Sequence, residues 1–233
     1  MATRPMSEKA AEILFNRYML QSFGLGGAQL FAPSSIEEFK NGYDAKIVGF
    51  SPLREIYLQF KAPDFLERNQ RFTIRTTPHQ HALLKSYPAR AAYYVSAMFH
   101  SMEQMNQAQA ILKTAEDFLK DFVCVEVSCL PPDVRSIHYS RPENHRSSPN
   151  VGFKNSQNGK SSNDVQPIIG NSWERGNTLM SKFKTGKLGY VVDLNSADVK
   201  HQIAPALEQA DDAERYMTKF SEADFGVFIR IPA

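Results

Sequence analysis

Gly42-Tyr43-Asp44-Ala45-Lys46-Ile47-Val48, a short loop holding Ser51 and Pro52, and then Ile56-Tyr57-Leu58-Gln59-Phe60-Lys61 form the stretch around which this chain is organised. Both flanks of the loop are strand-like. Side chains at i and i+2 of a strand share a face, roughly 6.6 Å apart along its axis. Gln59 and Lys61 are therefore expected to project together, while Leu58 and Phe60 meet the opposite layer. If the two segments pair as a hairpin, Asp44 reaches the same edge. A carboxylate, an amide oxygen and an ammonium converging there suit the holding of a divalent metal against a phosphodiester.

Working back toward the start, Ser7 is a good N-cap, and Glu8 to Gln21 reads as a helix with an apolar stripe of Ala10, Ala11, Leu14 and Tyr18. Glu8 and Glu12 share one helical face at i and i+4. Gly24, Gly26 and Gly27 end the helix. Residues 28–43 are less regular, with a serine-capped helical turn around Pro33-Ser34-Ser35 and Glu37-Glu38 to which no chemistry is assigned.

Downstream, Arg71 to Arg75 alternates as a third strand, and Thr77-Pro78-His79-Gln80 opens a helix that runs to about Ser86. His79 and His81 diverge at i and i+2 on that helix and make a poor metal pair; Gln80 is a capping partner or lies at a site edge. Ala91 to Val95 reads as a buried strand, Ser101 to about Lys120 as one long helix, and Phe122 to Leu130 as another strand. Met98, Met102 and Met105 are spaced for core packing. Ser136 to Tyr139 is a short strand. Leu188 to Leu194 resumes the strand pattern, a helical region broken at Pro205 follows, and Phe225 to Ile231 is the last strand.

With 233 residues, 42% of them hydrophobic, the chain can bury a substantial core, and a single domain is expected. A formal net charge of +2 is too small to argue for nucleic acid. Its distribution is more telling. From Arg135 to Lys187 there are nine Lys/Arg against three Asp/Glu, an excess of six, which leaves the remainder at −4. Within that region, residues 140–186 are rich in Ser, Asn and Gly and read as a flexible basic insertion, suited to lie over a nucleic-acid backbone. No apolar run approaches membrane-spanning length, and the start lacks an apolar signal core, so no membrane partner is expected. Cys124 and Cys129 form neither a CxxC motif nor a disulfide framework; buried free thiols in a reducing cytoplasm are expected.

Strands and helices mix throughout, which places the chain in the α/β class, with α+β as the alternative: a central mixed sheet flanked by helices. In the first half the expected order is a helix, three strands, a helix and another strand. With Gly-x-Asp at the start of one strand and Gln-x-Lys at the end of the next, this resembles the PD-(D/E)xK nuclease superfamily, the restriction-endonuclease-like fold. It is most similar to the branch of Mrr-type restriction enzymes, in which glutamine replaces the acidic residue of the second motif. The resemblance covers about the first hundred residues, and the rest is an extension.

The resemblance implies a Mg²⁺- or Mn²⁺-dependent nuclease acting on DNA in the cytoplasm, in a restriction or phage-defence setting, with room for a homodimer or an activating partner protein. It makes Asp44 a metal-binding carboxylate, Gln59 a second ligand or orienting group, and Lys61 the residue that orients the attacking water. A glutamate of the first helix completes the site; Glu12 is the choice, with Glu8 on the same face as the alternative. Tyr43 departs from the family, which has proline before the aspartate, and neutral Gln59 offers the metal less charge than glutamate. Those departures leave open a non-catalytic nucleic-acid-binding or interaction module of the same fold, or an assembly protein with a fortuitous motif.

Overall fold

The computed structural model describes residues 5–23, 28–50, 53–66, 70–111, 114–140, 150–155, 165–168, 172–191 and 226–229. It has the expected α/β class, built on two sheets. The larger sheet starts from an antiparallel meander of β1 (Ala28–Pro33), β2 (Ala45–Phe50) and β3 (Leu53–Phe60). β3 then pairs in parallel with β6 (Ala92–Ala97), reached through α3 (Pro78–Lys85). β7 (Phe122–Glu126) and β11 (Trp173–Arg175) extend that side antiparallel, and β13 (Gly226–Ile229) closes the other side against β1. β12 (Tyr190–Val191) pairs with the first part of β3, giving eight strands in all.

The second sheet has five strands in the order β10 (Gln166–Pro167), β9 (Val151–Asn155), β8 (Val134–Ser140), β5 (Arg71–Arg75) and β4 (Asp64–Leu66). The expected order of helix, three consecutive strands, helix and strand is not kept: a helix at residues 35–41 separates the first two strands of the meander, and β4 and β5 stand between β3 and α3. Ala28–Pro33 supplies the first strand of the meander, and Arg71–Arg75 belongs to the second sheet. β1 escaped the pattern because its two buried residues, Leu30 and Phe31, are adjacent rather than alternating.

The alternation of each strand divides the core. On one face of the larger sheet, Ala45, Ile47, Ile56, Leu58, Phe60, Tyr93 and Val95 meet α1 (Glu8–Phe23), α5 (Ala115–Leu119) and α6 (Gly176–Lys184). Phe15 of α1 packs edge-on between Phe60 and Phe122, with ring centroids 5.5 and 5.1 Å away. Burying one such ring contributes roughly 1.5–3 kcal/mol. The buried stripe of α1 is Ala11, Phe15 and Met19, so the expected stripe of Ala10, Leu14 and Tyr18 is its half-buried flank. On the opposite face, Ala92, Tyr94, Val123 and Val125 pack against Phe72, Ile74, Ile137, Tyr139 and Val151 of the second sheet.

Other expectations change with the structure. The long helix of residues 101–120 is two, α4 (Met102–Ile111) and α5, because Thr114 adopts an extended conformation and caps α5 by accepting from the Asp117 amide. The described residues of the segment 140–186 include strands and a helix. β9 lies between β8 and β10, β11 edges the larger sheet, and α6 buries Leu179, Met180 and Phe183. Polar composition hid these elements because each is short and carries its apolar residues on one side. Cys124 is buried as expected, whereas Cys129 is exposed, in the 3-10 turn that follows β7. The Pro205 region lies outside the described residues. Among those described, no helix is long and apolar enough to cross a membrane.

Candidate active site

The site forms where the β2–β3 hairpin ends. The register Ala45 opposite Leu58, with the Asp44 amide donating to the Leu58 carbonyl at 2.9 Å, brings Asp44 beside Gln59. Gln59 is fully buried. Its Nε2 donates to Asp44 Oδ2 at 2.6 Å and to the Phe60 carbonyl at 3.1 Å, and the Phe60 amide also donates to Asp44 Oδ2 at 2.6 Å. Two donors thus fix one carboxylate oxygen. Because Nε2 faces a carbonyl and a carboxylate, the opposite end of the amide, Oε1, is the acceptor; it is buried and has no hydrogen-bond partner among the described residues.

Lys61 follows at the end of β3. Its amide donates to the Val95 carbonyl at 2.9 Å, and its carbonyl accepts from Ser96 Oγ at 2.7 Å. Ser96 Oγ in turn accepts from the Tyr139 hydroxyl at 2.8 Å, so the second sheet braces the strand end that carries Lys61. The Lys61 ammonium lies 3.8 Å from Glu8 Oε2. Glu12, the expected helix glutamate, is held differently: both of its carboxylate oxygens accept from Lys9 Nζ at 2.8 Å. Glu8 is therefore the glutamate of α1 that reaches Lys61, and the choice of Glu12 is corrected. The i, i+4 spacing puts both on one face, but Glu8 is the one paired with Lys61 while Glu12 is closed over by Lys9.

A third carboxyl group belongs here that the sequence did not single out. Glu38 lies on α2 (Ser35–Asn41), whose N-terminus is capped by Ser34 with Glu37 Oε2 accepting from the Ser34 amide at 2.9 Å. With Glu37 turned back to the cap, Glu38 is the acid left to face β2. Gly42 ends the helix with φ of 81°, and its amide donates to the Glu38 carbonyl at 2.7 Å. That left-handed turn, which favours glycine, delivers Asp44 two residues later. Glu38 shares a side-chain hydrogen bond with Asp44. Between two carboxyl groups such a bond requires a proton.

The electrostatics follow from this crowding. Burial is the largest cause pushing the Asp44 carboxyl up to about 8; the Phe60 amide opposes it, and Glu38 and Glu8 add to it. Glu8 is also raised, again mainly by burial, against the attraction of Lys61. Tyr43, in the place of the family's proline, packs its ring 5.0 Å from Tyr57, which stacks on Tyr87 at 4.1 Å. It anchors the turn before Asp44 through an aromatic contact.

The residues fit a hard divalent cation in donor type: Asp44, the unpartnered Gln59 Oε1 and Glu8 all offer oxygen, and Mg²⁺ fills remaining positions with water. Among the described residues no three His, Cys, Asp or Glu are grouped as a ready metal cage, so the fit depends on the amide. The two histidines of α3 are elsewhere. His81 is buried between the Tyr94 hydroxyl and the Pro131 carbonyl, and His79 packs over Phe39. Gln80 sits behind Gly42, its carbonyl 3.3 Å from where a Cβ on that glycine would stand. No family model matches the chain, and neither the curated proteins nor the solved structures give a match.

Proposed function

We propose that the chain is a metal-dependent nuclease of the PD-(D/E)xK type, hydrolysing phosphodiester bonds in DNA in a restriction or phage-defence setting. The observation that carries this reading is the hydrogen-bonded Asp44–Gln59 pair at the open end of one hairpin, with the Lys61–Glu8 ion pair beside the same strand end.

Asp44, Gln59 through Oε1, and Glu8 would hold Mg²⁺ or Mn²⁺. When bound, that ion supplies a polarised phosphate and a water of lowered pKa. The chain's own groups do the rest. The Phe60 amide and Gln59 Nε2 hold the Asp44 carboxylate in one orientation, so it need not reorganise as charge develops. Lys61, braced by Val95 and Ser96, presents its ammonium to the phosphate, where negative charge grows in the transition state. Glu8 helps hold that ammonium in place. Nuclease assays with Mg²⁺ or Mn²⁺ on linear and supercoiled DNA, with single-stranded and RNA controls, test the reading. Lys61→Ala is expected to lower cleavage by about 10²–10³-fold with little change in DNA affinity, since one cation among many adds little to ground-state binding. Equal cleavage by wild type and variant would place the chemistry elsewhere. No cleavage with DNA binding intact would favour a binding module of the same fold.

A further inference from the structure

The five-stranded sheet turns one face to the core and one away from it. Phe72, Ile74, Ile137 and Tyr139 point inward. The alternate residues of the same strands, Arg71, Thr73 and Arg75 on β5 and Ser136, His138 and Ser140 on β8, therefore line the outer face. Cross-strand partners share a face. The register places Arg71 opposite Ser140, Thr73 opposite His138, Arg75 opposite Ser136, and Ser136 opposite Lys154 of β9.

This face is basic. On it the strands carry Arg71, Arg75 and Lys154, with one acid, Asp64, which pairs with Arg75 at 3.3 Å. Between the cations lies a row of hydroxyls bridged by a histidine: His138 Nδ1 is 2.9 Å from Thr73 Oγ1, and Nε2 is 2.8 Å from Ser136 Oγ. His138 reports the field there. Burial first, then Lys154 and Arg71, push its pKa down to about 4. Beyond it the face is bounded by Val165, which lies where a side chain on Gly152 would stand. Of the basic residues in the region whose positive excess was noted in the sequence, Lys154 lies on this face, whereas Arg175, Lys182 and Lys184 belong to β11 and α6.

We propose that the outer face of the five-stranded sheet is a docking surface for the phosphodiester backbone of nucleic acid, separate from the hydrolytic site. Cations flanking a row of hydroxyls match a line of phosphates, which take charge-assisted and hydroxyl hydrogen bonds and present no base edges. The choice of nucleic acid among polyanions rests on the nuclease reading. The two sites are close in the chain: β4 begins three residues after Lys61, within about 11 Å at full extension.

Fluorescence anisotropy with a labelled duplex in EDTA, where hydrolysis cannot proceed, tests the surface against salt. Each phosphate contact adds about 0.9 to the slope of log affinity on log salt. The pair R71Q/K154Q should lower the slope by about 1.8, so that wild type loses roughly tenfold more affinity than the variant between 50 and 200 mM NaCl. R75Q, at a side chain 83% exposed and therefore safe for folding, should lower it by about 0.9. R71K/K154R should restore the wild-type slope. Equal slopes for wild type, R71Q/K154Q and R75Q would overturn the proposal. So would poly-glutamate competing as well as DNA at equal charge, which would make the face a site for acidic protein. Salt-dependent, Arg71- and Lys154-dependent binding without cleavage in Mg²⁺ would sink the nuclease reading and leave the docking surface standing.

Discussion

Replacing Asp44 with asparagine should stabilise the metal-free protein at neutral pH, although the residue lies at the centre of the candidate site. The carboxyl titrates near 3.8 in an unfolded chain and is pushed up to about 8 in the fold. Its protonated form is thus the one the fold prefers, so its contribution is fully present below 3.8 and is lost as pH rises toward 8. At pH 7 the unfolded chain has released that proton and most of the folded protein has not. At about 1.36 kcal/mol per pH unit, that amounts to a penalty on the order of 4 kcal/mol. Asparagine removes it and keeps the geometry: its Oδ1 can accept from the Phe60 amide and Gln59 Nε2, and its Nδ2 can donate to Glu38 where the shared proton lay. His138 acts with the opposite sign. Its pKa is lowered from 6.5 to about 4, so its neutral form stabilises above 6.5 and that contribution is lost as pH falls toward 4. The clean window is therefore pH 6.5–8. Urea denaturation in EDTA across that window should show wild-type stability falling with pH and the variant staying nearly flat. Parallel curves, or a variant less stable than wild type at pH 8, would refute the reasoning.

Three further outcomes follow from the same geometry. Gln59→Glu sets a second carboxylate against Asp44 Oδ2, now 2.6 Å from an amide donor, so it should lower the melting temperature without metal and increase the stabilisation that Mn²⁺ provides; a variant unchanged in both would separate Gln59 from any metal. Tyr139→Phe removes the hydroxyl that donates to Ser96 Oγ and the Ala97 carbonyl, and should cost about 1–3 kcal/mol in chemical denaturation; if the site is active, kcat should fall too, since Ser96 braces the strand end at Lys61. Deleting residues 147–163 takes out β9, leaving β8 unpaired on one side and β10 without its partner strand, so the melting temperature should drop sharply rather than hold.

The hairpin was legible because it obeys a local rule. Period-two alternation fixed which residues of Ile56–Lys61 share a face, and pairing with the preceding strand then put Asp44 next to Gln59. The second sheet was not legible as a sheet. Arg71–Arg75 alternates correctly, but nothing local says that its partner is Val134–Ser140, more than sixty residues away, rather than β3. The choice between Glu8 and Glu12 turned on where the first turn of α1 docks and on Lys9 closing over Glu12, and both are tertiary facts. Glu38 was hidden in a capping sequence whose ordinary role is local; only the turn at Gly42 aims it at Asp44.

The pairing of β1 with β13 has a consequence for the newly made protein. β1 ends at Pro33 and its outer partner begins at Gly226, so the long stretch between them must leave the ribosome before that edge is covered. At about 5–20 residues per second, the interval is roughly 10–40 s. For that time the meander presents a row of unpaired amides and carbonyls, the template for joining another nascent copy edge to edge. Pro33 lacks an amide to donate, and the strand has only six residues, which shortens the exposed ladder. The strands beside Asp44 and Gln59 are thus made early, while the border that protects them arrives much later.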